Sequence, residues 1–176
     1  MQIARRTQAD RTAATRAALI AAGRKLFAEH GFAGVGTETI VRAADVSRGA
    51  LYHQFGDKTE LFAAVLGHVE GGVSARLAAA MPAGADFAEV MTRSFAAWLE
   101  ACQSREVRQI VLIDGPSVLG WARWRGICQE HILGLIEGVL ARGMAEGAVR
   151  PLPAKPLAHL LLAMADEAAL YVDAAG

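Results

Sequence analysis

Long uncharged apolar runs are missing from this sequence, although 53% of its 176 residues are apolar. The N-terminal stretch MQIARRTQADRTAATR lacks the apolar segment of a secretion signal, and Asp166 and Glu167 interrupt the best candidate for a membrane span. Cysteine is equally scarce, because Cys102 and Cys128 stand alone without the spacing of a zinc site or the density of a disulfide framework. We therefore expect a cytoplasmic protein with no membrane segment, no metal site and no cofactor.

Strand-type alternation of apolar and polar residues is also nearly absent, whereas helical spacing recurs along the chain. A chain of this length can form one large domain, or a small domain followed by a medium one. Its apolar fraction exceeds what one small core needs, so we expect a second buried surface. The sequence therefore predicts an all-α protein with a subunit interface or an apolar cavity in addition to its core.

Positive charge is concentrated at the N-terminus, although the net charge of the chain is zero. Residues 1–25 contain Arg5, Arg6 and four other basic residues against a single acid, whereas residues 71–176 contain nine basic and eleven acidic residues. A basic arm on a neutral protein is the asymmetry expected of a nucleic-acid contact. A solvated tail would have the same composition, so the arm alone does not decide the function.

Capping residues mark four helix starts in the first third of the chain. The first helix should run from about Asp10 or Thr12 to His30 before Gly31, and the next three should begin at Thr37, Ser47 and Asp57. In the third helix, Leu51 and Phe55 lie one turn apart and form its buried side. The second and third helices with their tight turn fill about twenty residues, which is the spacing of a helix-turn-helix motif.

The outward side of the third helix carries the chemistry that a DNA groove requires, since the second helix of such a motif enters the major groove. Arg48 can read guanine with its two-pronged guanidinium or pair with a phosphate. Tyr52 and His53 can donate to phosphate oxygens, and Gly49 permits a close approach to the groove. Lys58 opens the fourth helix near free N-terminal amides, where a phosphate would be well placed.

Residues 12 to about 70, centred on LFAEHGFAGVGTETIVRAADVSRGALYHQFGDKTELFAAVL, closely resemble the DNA-binding domain of the TetR family of transcriptional regulators. The DNA-binding positions that this resemblance implies are Thr37, Ser47, Arg48, Gly49, Tyr52, His53 and Lys58. The turn of the motif differs from the family pattern at Asp45, where glycine is usual. Because aspartate tolerates the left-handed conformation better than most residues, we expect the turn to be preserved.

The remaining two thirds of the chain should form a helical bundle, which the resemblance identifies as a ligand-binding and dimerisation domain. We expect the helix-turn-helix domain over residues 1–57 and the bundle over residues 58–176, linked by the fourth helix. That helix is interrupted at Gly71-Gly72, and later helices are predicted over Phe87 to Cys102, over REVRQIVLID as far as Gly115-Pro116, from Ser117 to Glu146 and from Pro156 to Ala174.

Aromatic and sulfur-containing side chains concentrate in the bundle, and such side chains are typical of apolar pockets. The residues predicted to bind a ligand are Met91, Phe95, Trp98, Asp114, Trp121, Trp124, Cys128 and Met164. Each aromatic residue alone could equally belong to an ordinary core. Asp114 is the most suggestive polar member, although an acid at a helix end is also a common surface residue.

A dimer is expected because one recognition helix buries too little surface for tight specific binding. The residues predicted to form the homodimer interface are Leu157, Leu160, Leu161, Met164 and Ala168 on the eighth helix, and the seventh helix supplies part of the cover. Family members usually add a ninth helix at this interface. The sequence stops before such a helix, which leaves open whether the interface is smaller or the chain continues.

The function predicted from the resemblance is that of a sequence-specific DNA-binding repressor, released from a pseudo-palindromic double-stranded operator by a small apolar or aromatic effector. Two other classes stay open. A small helical enzyme could use Cys128, His131 and Asp114 as a Cys-His-Asp set, although no nucleophile elbow or metal spacing accompanies them. A helix-turn-helix protein could also act through protein contacts alone.

Overall fold

The computed structural model of the protein describes residues 7–82 and 84–175, and within these ranges it contains helices and no strand. The α-helices are α1 (Gln8–His30), α2 (Thr37–Ala43), α3 (Arg48–Phe55), α4 (Lys58–Ala80), α5 (Phe87–Cys102), α6 (Arg105–Val107), α7 (Gly115–Leu119), α8 (Trp121–Cys128), α9 (Gly134–Ala145) and α10 (Ala154–Ala175). A first π stretch (Arg108–Asp114) joins α6 to α7, and a second π stretch (Gln129–Leu133) joins α8 to α9. The predicted all-α fold is confirmed. Over the ranges that the structure covers, no helix combines the length and the apolar character needed to cross a bilayer.

The first helix starts earlier than predicted because Thr7 and Asp10 cap it reciprocally. The Thr7 hydroxyl oxygen accepts from the Asp10 backbone N–H at 3.2 Å, and the Asp10 carboxylate accepts from the Thr7 backbone N–H at 2.9 Å. These two bonds satisfy N–H groups that a helix start otherwise leaves free. The helix ends as predicted at Gly31, whose φ is 68°.

The helix-turn-helix forms largely as the sequence predicts. Ser47 caps α3 by accepting from the Ala50 backbone N–H at 3.2 Å, and Asp45 has the predicted left-handed backbone, with φ 52°. The prediction that Thr37 caps α2 is wrong, because the capping position is Gly36 and Thr37 is the first helical residue. Gly36 has extended backbone, and its carbonyl oxygen accepts the first hydrogen bonds of the helix, from the Thr39 and Ile40 N–H groups.

An aromatic cluster fixes the helix-turn-helix on the N-terminal half of α4. The rings of Phe27 and Phe32 contact Phe62 edge-on, with centroid distances of 5.3 and 5.2 Å. Phe27 and Phe62 are completely buried, as are the α1 residue Leu19 and the α3 residue Leu51. Because α1 and α3 both pack on α4, the orientation of α3 follows the orientation of α4.

The predicted interruption of the fourth helix is wrong, since α4 runs through Gly71 and Gly72 without a break. Gly67 and Gly71 face the second π stretch. A Cβ on Gly71 would lie 3.7 Å from the ring of His131, and a Cβ on Gly67 would lie 3.6 Å from the same ring, both ordinary contact distances. The hydroxyl of Ser74 also donates to the His131 carbonyl at 3.0 Å, which ties the stretch to α4.

The predicted sixth and seventh helices divide differently in the structure. The chain continues past Gly115-Pro116, because Pro116 lies in the first turn of α7, where its missing N–H leaves no bond unmade. The predicted single helix from Ser117 to Glu146 is instead broken at Gly120, whose φ is 73°, and widened at the second π stretch. The break changes the direction of α8 relative to α7, and the π stretch shifts the side chains of α9 relative to those of α8.

The last helix, α10, has two apolar sides. One side packs into the bundle and contains the buried residues Ala158, Leu162, Ala165 and Ala169. The other side faces outward, where Leu160, Met164 and Tyr171 are 63%, 62% and 70% exposed.

Candidate nucleic-acid interface and ligand cavity

The outward face of α3 presents the predicted recognition side chains to solvent. Ser47, Arg48, Gly49, Tyr52 and His53 are all exposed. One guanidinium nitrogen of Arg48 donates to Tyr52 Oη at 3.3 Å, and the Arg48 carbon Cζ lies 5.5 Å from the Tyr52 ring centroid. The Arg48 side chain is thus held beside Tyr52 in the absence of a nucleic acid, which lowers the entropy lost when it binds.

Glu38, on α2, supplies the second partner of Arg48 and was not predicted. Its carboxylate accepts from Arg48 Nη1 at 2.9 Å, between side chains that are both mostly exposed. Such an exposed ion pair is weak, so a phosphate or a base can replace it at little cost. The bond joins the two helices of the motif across a separation of ten residues, which no local pattern in the sequence reveals.

The predicted DNA contacts on α2 and α4 are both half-buried. Thr37 is half-buried at the first position of α2. The Lys58 ammonium donates to the carbonyl oxygens of Phe32 and Val35, each at 3.0 Å, and lies 3.9 Å from the centroid of the Phe32 ring. Lys58 thereby holds the loop between α1 and α2 against the start of α4. One of its three N–H donors remains for a phosphate, so that contact stays a prediction.

Part of the basic N-terminal arm is used inside the molecule. The guanidinium of Arg16 lies 4.5 Å above the Phe55 ring, and Arg24 forms an ion pair with Glu106 through two hydrogen bonds. Arg5 and Arg6 lie outside the described residues. The described part of the arm therefore contributes packing and an ion pair to the fold, in addition to positive charge.

A cavity of about 100 Å³ lies between α4, α5, α9 and α10. Four of the eight residues predicted to bind a ligand line this cavity, namely Met91, Phe95, Trp98 and Met164. Aliphatic and methionine side chains complete most of the wall, including Leu77, Met81, Ile132, Leu135, Ile136 and Leu162. Leu161, predicted at the dimer interface, also lines the cavity and is half-buried.

The two other tryptophans predicted for the pocket lie outside the cavity wall. Trp121 is 64% exposed, and its ring centroid lies 5.0 Å from that of the buried Trp124. The Arg125 guanidinium lies over both rings, and Trp124 packs closely against Gly115. These contacts follow from the break at Gly120, which turns α8 toward α4 and α7 instead of the cavity.

A cluster of charged side chains is buried next to the cavity, and the sequence analysis missed it. Glu70 is 1% exposed, and its Oε1 atom accepts from Cys128 Sγ at 3.2 Å. Asp166 lies with one oxygen 3.8 Å from Arg125 Nη1. Burial raises the pKa of both carboxyl groups to about 7, an effect that Cys128 reduces for Glu70 and Arg125 reduces for Asp166. The sequence did contain a sign of this cluster, because Glu70 follows Leu66 by four residues and so lies on the apolar side of α4.

The Cys-His-Asp set considered for an enzyme does not share a site. Cys128 is bonded to Glu70, and burial raises the pKa of its thiol, which is the opposite of what a nucleophilic cysteine requires. Asp114 binds a backbone N–H elsewhere, and His131 packs against Gly67 and Gly71. In the part of the chain that the structure describes, no group of three His, Cys, Asp or Glu side chains could hold a metal ion.

Asp114, predicted in the pocket, instead connects the bundle to the helix-turn-helix. Its Oδ2 atom accepts from the Phe32 backbone N–H at 2.7 Å, just beyond the end of α1. Arg105 donates to the Glu29 carbonyl oxygen at 2.7 Å. With the ion pair of Glu106 described above, these bonds form an α1 clamp (Arg105, Glu106 and Asp114), which holds the C-terminal half of α1 against α6 and the first π stretch.

Comparisons with known proteins place both halves of the chain in one family. Residues 19–65 match the family model of the tetR family of bacterial regulatory proteins, and residues 88–176 match that of the tetracyclin repressor-like C-terminal domain. The chain belongs to the TetR family of transcriptional regulators. The predicted family is therefore confirmed, and with it the prediction of a DNA-binding transcriptional regulator.

Individual relatives agree with this assignment. A TetR-family transcriptional regulator from Pectobacterium atrosepticum is 34% identical, with a TM-score of 0.79 over 95% of this chain and 85% of that chain. The HTH-type transcriptional repressor AcnR of Corynebacterium efficiens is 39% identical over 56 residues, which are 32% of this chain and 30% of AcnR. The chain thus spans about a third of the length of this curated repressor. RolR in complex with resorcinol shares the fold, with a TM-score of 0.78 over 94% of this chain and 81% of that chain at 21% identity.

Proposed function

We propose that this TetR-family protein acts in the cytoplasm as a repressor. It binds a pseudo-palindromic operator as a homodimer and is released when a small apolar or aromatic effector enters the cavity. The observation that carries the proposal is the course of α4, which supports the helix-turn-helix at one end and walls the cavity at the other. The similarity to AcnR supports repression, and the structure of RolR in complex with resorcinol supports a small aromatic effector.

The DNA-binding face consists of the outward side of α3 and the residues next to it. Arg48 is the base-reading side chain, because its fork matches the acceptor pair of guanine and it is already aligned by Tyr52. Tyr52, His53 and Ser47 contact phosphates, and the bare backbone at Gly49 allows the helix to enter the groove. Thr37 and the remaining N–H donor of Lys58 contact phosphates of the DNA backbone on the other side of the helix-turn-helix.

Effector binding reaches this face through α4 and the α1 clamp. The helix has 23 residues and is about 35 Å long at 1.5 Å per residue, so a small tilt at Leu77 moves its far end by several ångströms. Because the α1 clamp bonds α1 to the first π stretch, a displacement of that stretch also displaces α1. If the effector prefers the displaced arrangement by about 1.4 kcal/mol, operator affinity falls tenfold.

The homodimer forms through the outward side of α10. Leu160, Met164 and Tyr171 are exposed there and make an apolar surface that a second copy can cover. Of the residues predicted for this interface, Leu157 and Leu161 are half-buried and pack on their own bundle, so their share of the contact is small. Ala168 is half-buried beside the outward side.

Substitution of Leu160 tests the dimer. Leu160→Glu should dissociate the homodimer and abolish operator binding, because each glutamate near the two-fold axis meets its own copy, while the monomer stays folded. Sedimentation of the variant and of Arg93→Glu, a surface change on α5, measures the oligomeric state. A Leu160→Glu protein that remains dimeric would place the interface elsewhere.

Selection of bound fragments from the source genome tests the DNA-binding proposal and yields the operator. On that operator, Arg48→Ala should relax the preference at one base pair by about 1–3 kcal/mol, and Arg48→Lys should keep much of the affinity but lose the preference. Fluorescence anisotropy over single-base operator variants measures both. If neither substitution changes the base preference, α3 does not read the sequence. If no effector weakens a specific complex, the chain acts without ligand control.

A further inference from the structure

The cavity wall is almost wholly apolar, and two of its residues each carry a buried polar side-chain atom. Ser94 and Trp98 lie one turn apart on α5 and both line it. Their side-chain atoms, Ser94 Oγ and Trp98 Nε1, are buried and have no hydrogen-bond partner among the residues that the structure describes. Trp98 is 4% exposed, so its N–H can bond only to something inside the protein.

The chemistry of these two groups determines what they can bind. An indole N–H is a donor only, and a serine hydroxyl can donate as well as accept. Side chains four residues apart on a helix lie about 5–6 Å from each other at Cβ, so a single oxygen between them can accept from both. A buried donor without a partner is unfavourable, and a molecule that brings an acceptor removes that penalty.

The remaining wall limits the charge and the size of the ligand. Among the residues that the structure describes, no charged side chain lines the cavity, and Asp166, next in sequence to the lining residue Ala165, lies beside Arg125. A charged ligand would lose its hydration without gaining an opposite charge. At about 100 Å³, the cavity is somewhat smaller than an apolar cavity of about 150 Å³ that binds benzene. Phe95 lines the cavity and is exposed on α5, away from the proposed dimer surface, so the ligand can enter beside its ring.

We infer that the effector is an uncharged compound of about one ring, whose carbonyl or hydroxyl oxygen accepts hydrogen bonds from Trp98 Nε1 and Ser94 Oγ. The inference rests on the proposed function only in calling this compound an effector. Binding at the cavity is a property of the chain alone and can be measured without DNA.

Calorimetry of the full chain with three compounds of similar shape tests the inference. Acetophenone offers a neutral acceptor, benzoate a charged one and ethylbenzene none. We expect acetophenone to bind about tenfold more tightly than either of the others. Equal or tighter binding of benzoate or ethylbenzene, or no binding of acetophenone, would overturn the inference.

Two substitutions assign the contact. Trp98→Phe keeps a ring but removes the donor, and it should bring acetophenone down to the affinity of ethylbenzene, whose own affinity stays the same. Ser94→Ala should have a smaller effect of the same kind, and Thr92→Ala, an exposed change on the same helix, should have none.

A second measurement covers the case in which Trp98→Phe does not fold. In wild-type protein labelled with ¹⁵N, acetophenone should shift the indole N–H resonance of Trp98 downfield, and ethylbenzene should not. No shift would overturn the contact. Acetophenone binding that leaves operator affinity unchanged would overturn the proposed release mechanism and keep the site.

Discussion

Polar side chains are arranged in opposite ways in the helix-turn-helix and in the bundle. Around α3, Arg48, Tyr52 and Glu38 are exposed and bonded to each other through contacts that are weak in water. In the bundle, Glu70 and Asp166 are buried, and each has a carboxylate oxygen without a partner among the described residues. The first arrangement can be exchanged for a partner from outside at little cost. The second stores unfavourable free energy inside the helical bundle.

The two regions depend on each other through the aromatic cluster on α4, and removing its centre should have the largest effect. Phe62→Ala should lower the free energy of unfolding by about 3–5 kcal/mol, because a fully buried ring leaves a cavity between α1 and α4. Phe95→Ala, at an exposed ring on α5, should cost about 1 kcal/mol or less. Urea unfolding measures both values. A small loss for Phe62→Ala would mean that the helix-turn-helix is held to the bundle by other contacts.

The buried carboxyl groups should make the bundle less stable as the pH rises. Glu70 and Asp166 have ordinary pKa values of 4.5 and 3.8 and pKa values near 7 in the folded protein, so the native state binds more protons between these limits. The stability that the two protonated groups contribute is complete below about pH 4 and is lost as the pH rises through 7, by roughly 3–4 kcal/mol for each group. Urea midpoints from pH 5 to pH 8 measure the loss.

Glu70→Gln serves to assign that pH dependence. It should reduce the slope of stability against pH, whereas Glu38→Gln, on the exposed face of α2, should leave the slope as it is. If the wild-type protein is equally stable at pH 5 and pH 8, the two carboxyl groups are solvated in the native state and the contrast between the regions disappears.

Lys58 makes internal hydrogen bonds and is also a predicted DNA contact, and its substitution should have the smallest effect. Lys58→Ala leaves the Phe32 and Val35 carbonyl oxygens without their donor, at a cost of about 1–2 kcal/mol in unfolding free energy. It should also lower the salt dependence of operator binding by about one phosphate contact. Lys155→Ala, an exposed change at the start of α10, should alter neither quantity. A loss of stability with an unchanged salt dependence would make Lys58 a purely internal contact.

The sequence predicted the helix-turn-helix better than the bundle because the motif is specified locally. The cap at Ser47 and the left-handed Asp45 depend on residues within a few positions, so their patterns are sufficient. The helix widenings at Arg108–Asp114 and Gln129–Leu133 depend on packing against α1 and α4 and have no comparable pattern. The predicted stop at Gly115-Pro116 was wrong because Pro116 is tolerated in the first turn of α7, directly after the first of these widenings.

The cavity wall was predicted only in part because α10 is apolar on two sides, and the interface residues stay a prediction. Helical spacing identified a stripe through Leu157, Leu161 and Met164, whereas the bundle buries a neighbouring stripe through Ala158 and Leu162. Small alanines on the inner side let α10 pack closely, and the larger side chains remain outside. Periodicity finds an apolar side, but it does not say which part of the assembly will cover it.

The first π stretch has a consequence for how this chain can vary in length. A π-helical turn holds one more residue than an α-helical turn, so deleting one residue between Glu106 and Asp114 would restore an α-helix. The bulge is what absorbs the additional residue, so the side chains on either side of it would keep their orientation. A deletion inside a regular helix such as α5 would instead turn all later side chains by about 100°. Among descendants of this sequence, we therefore expect the loss of one residue between Glu106 and Asp114 to be tolerated better than the loss of one residue within α5.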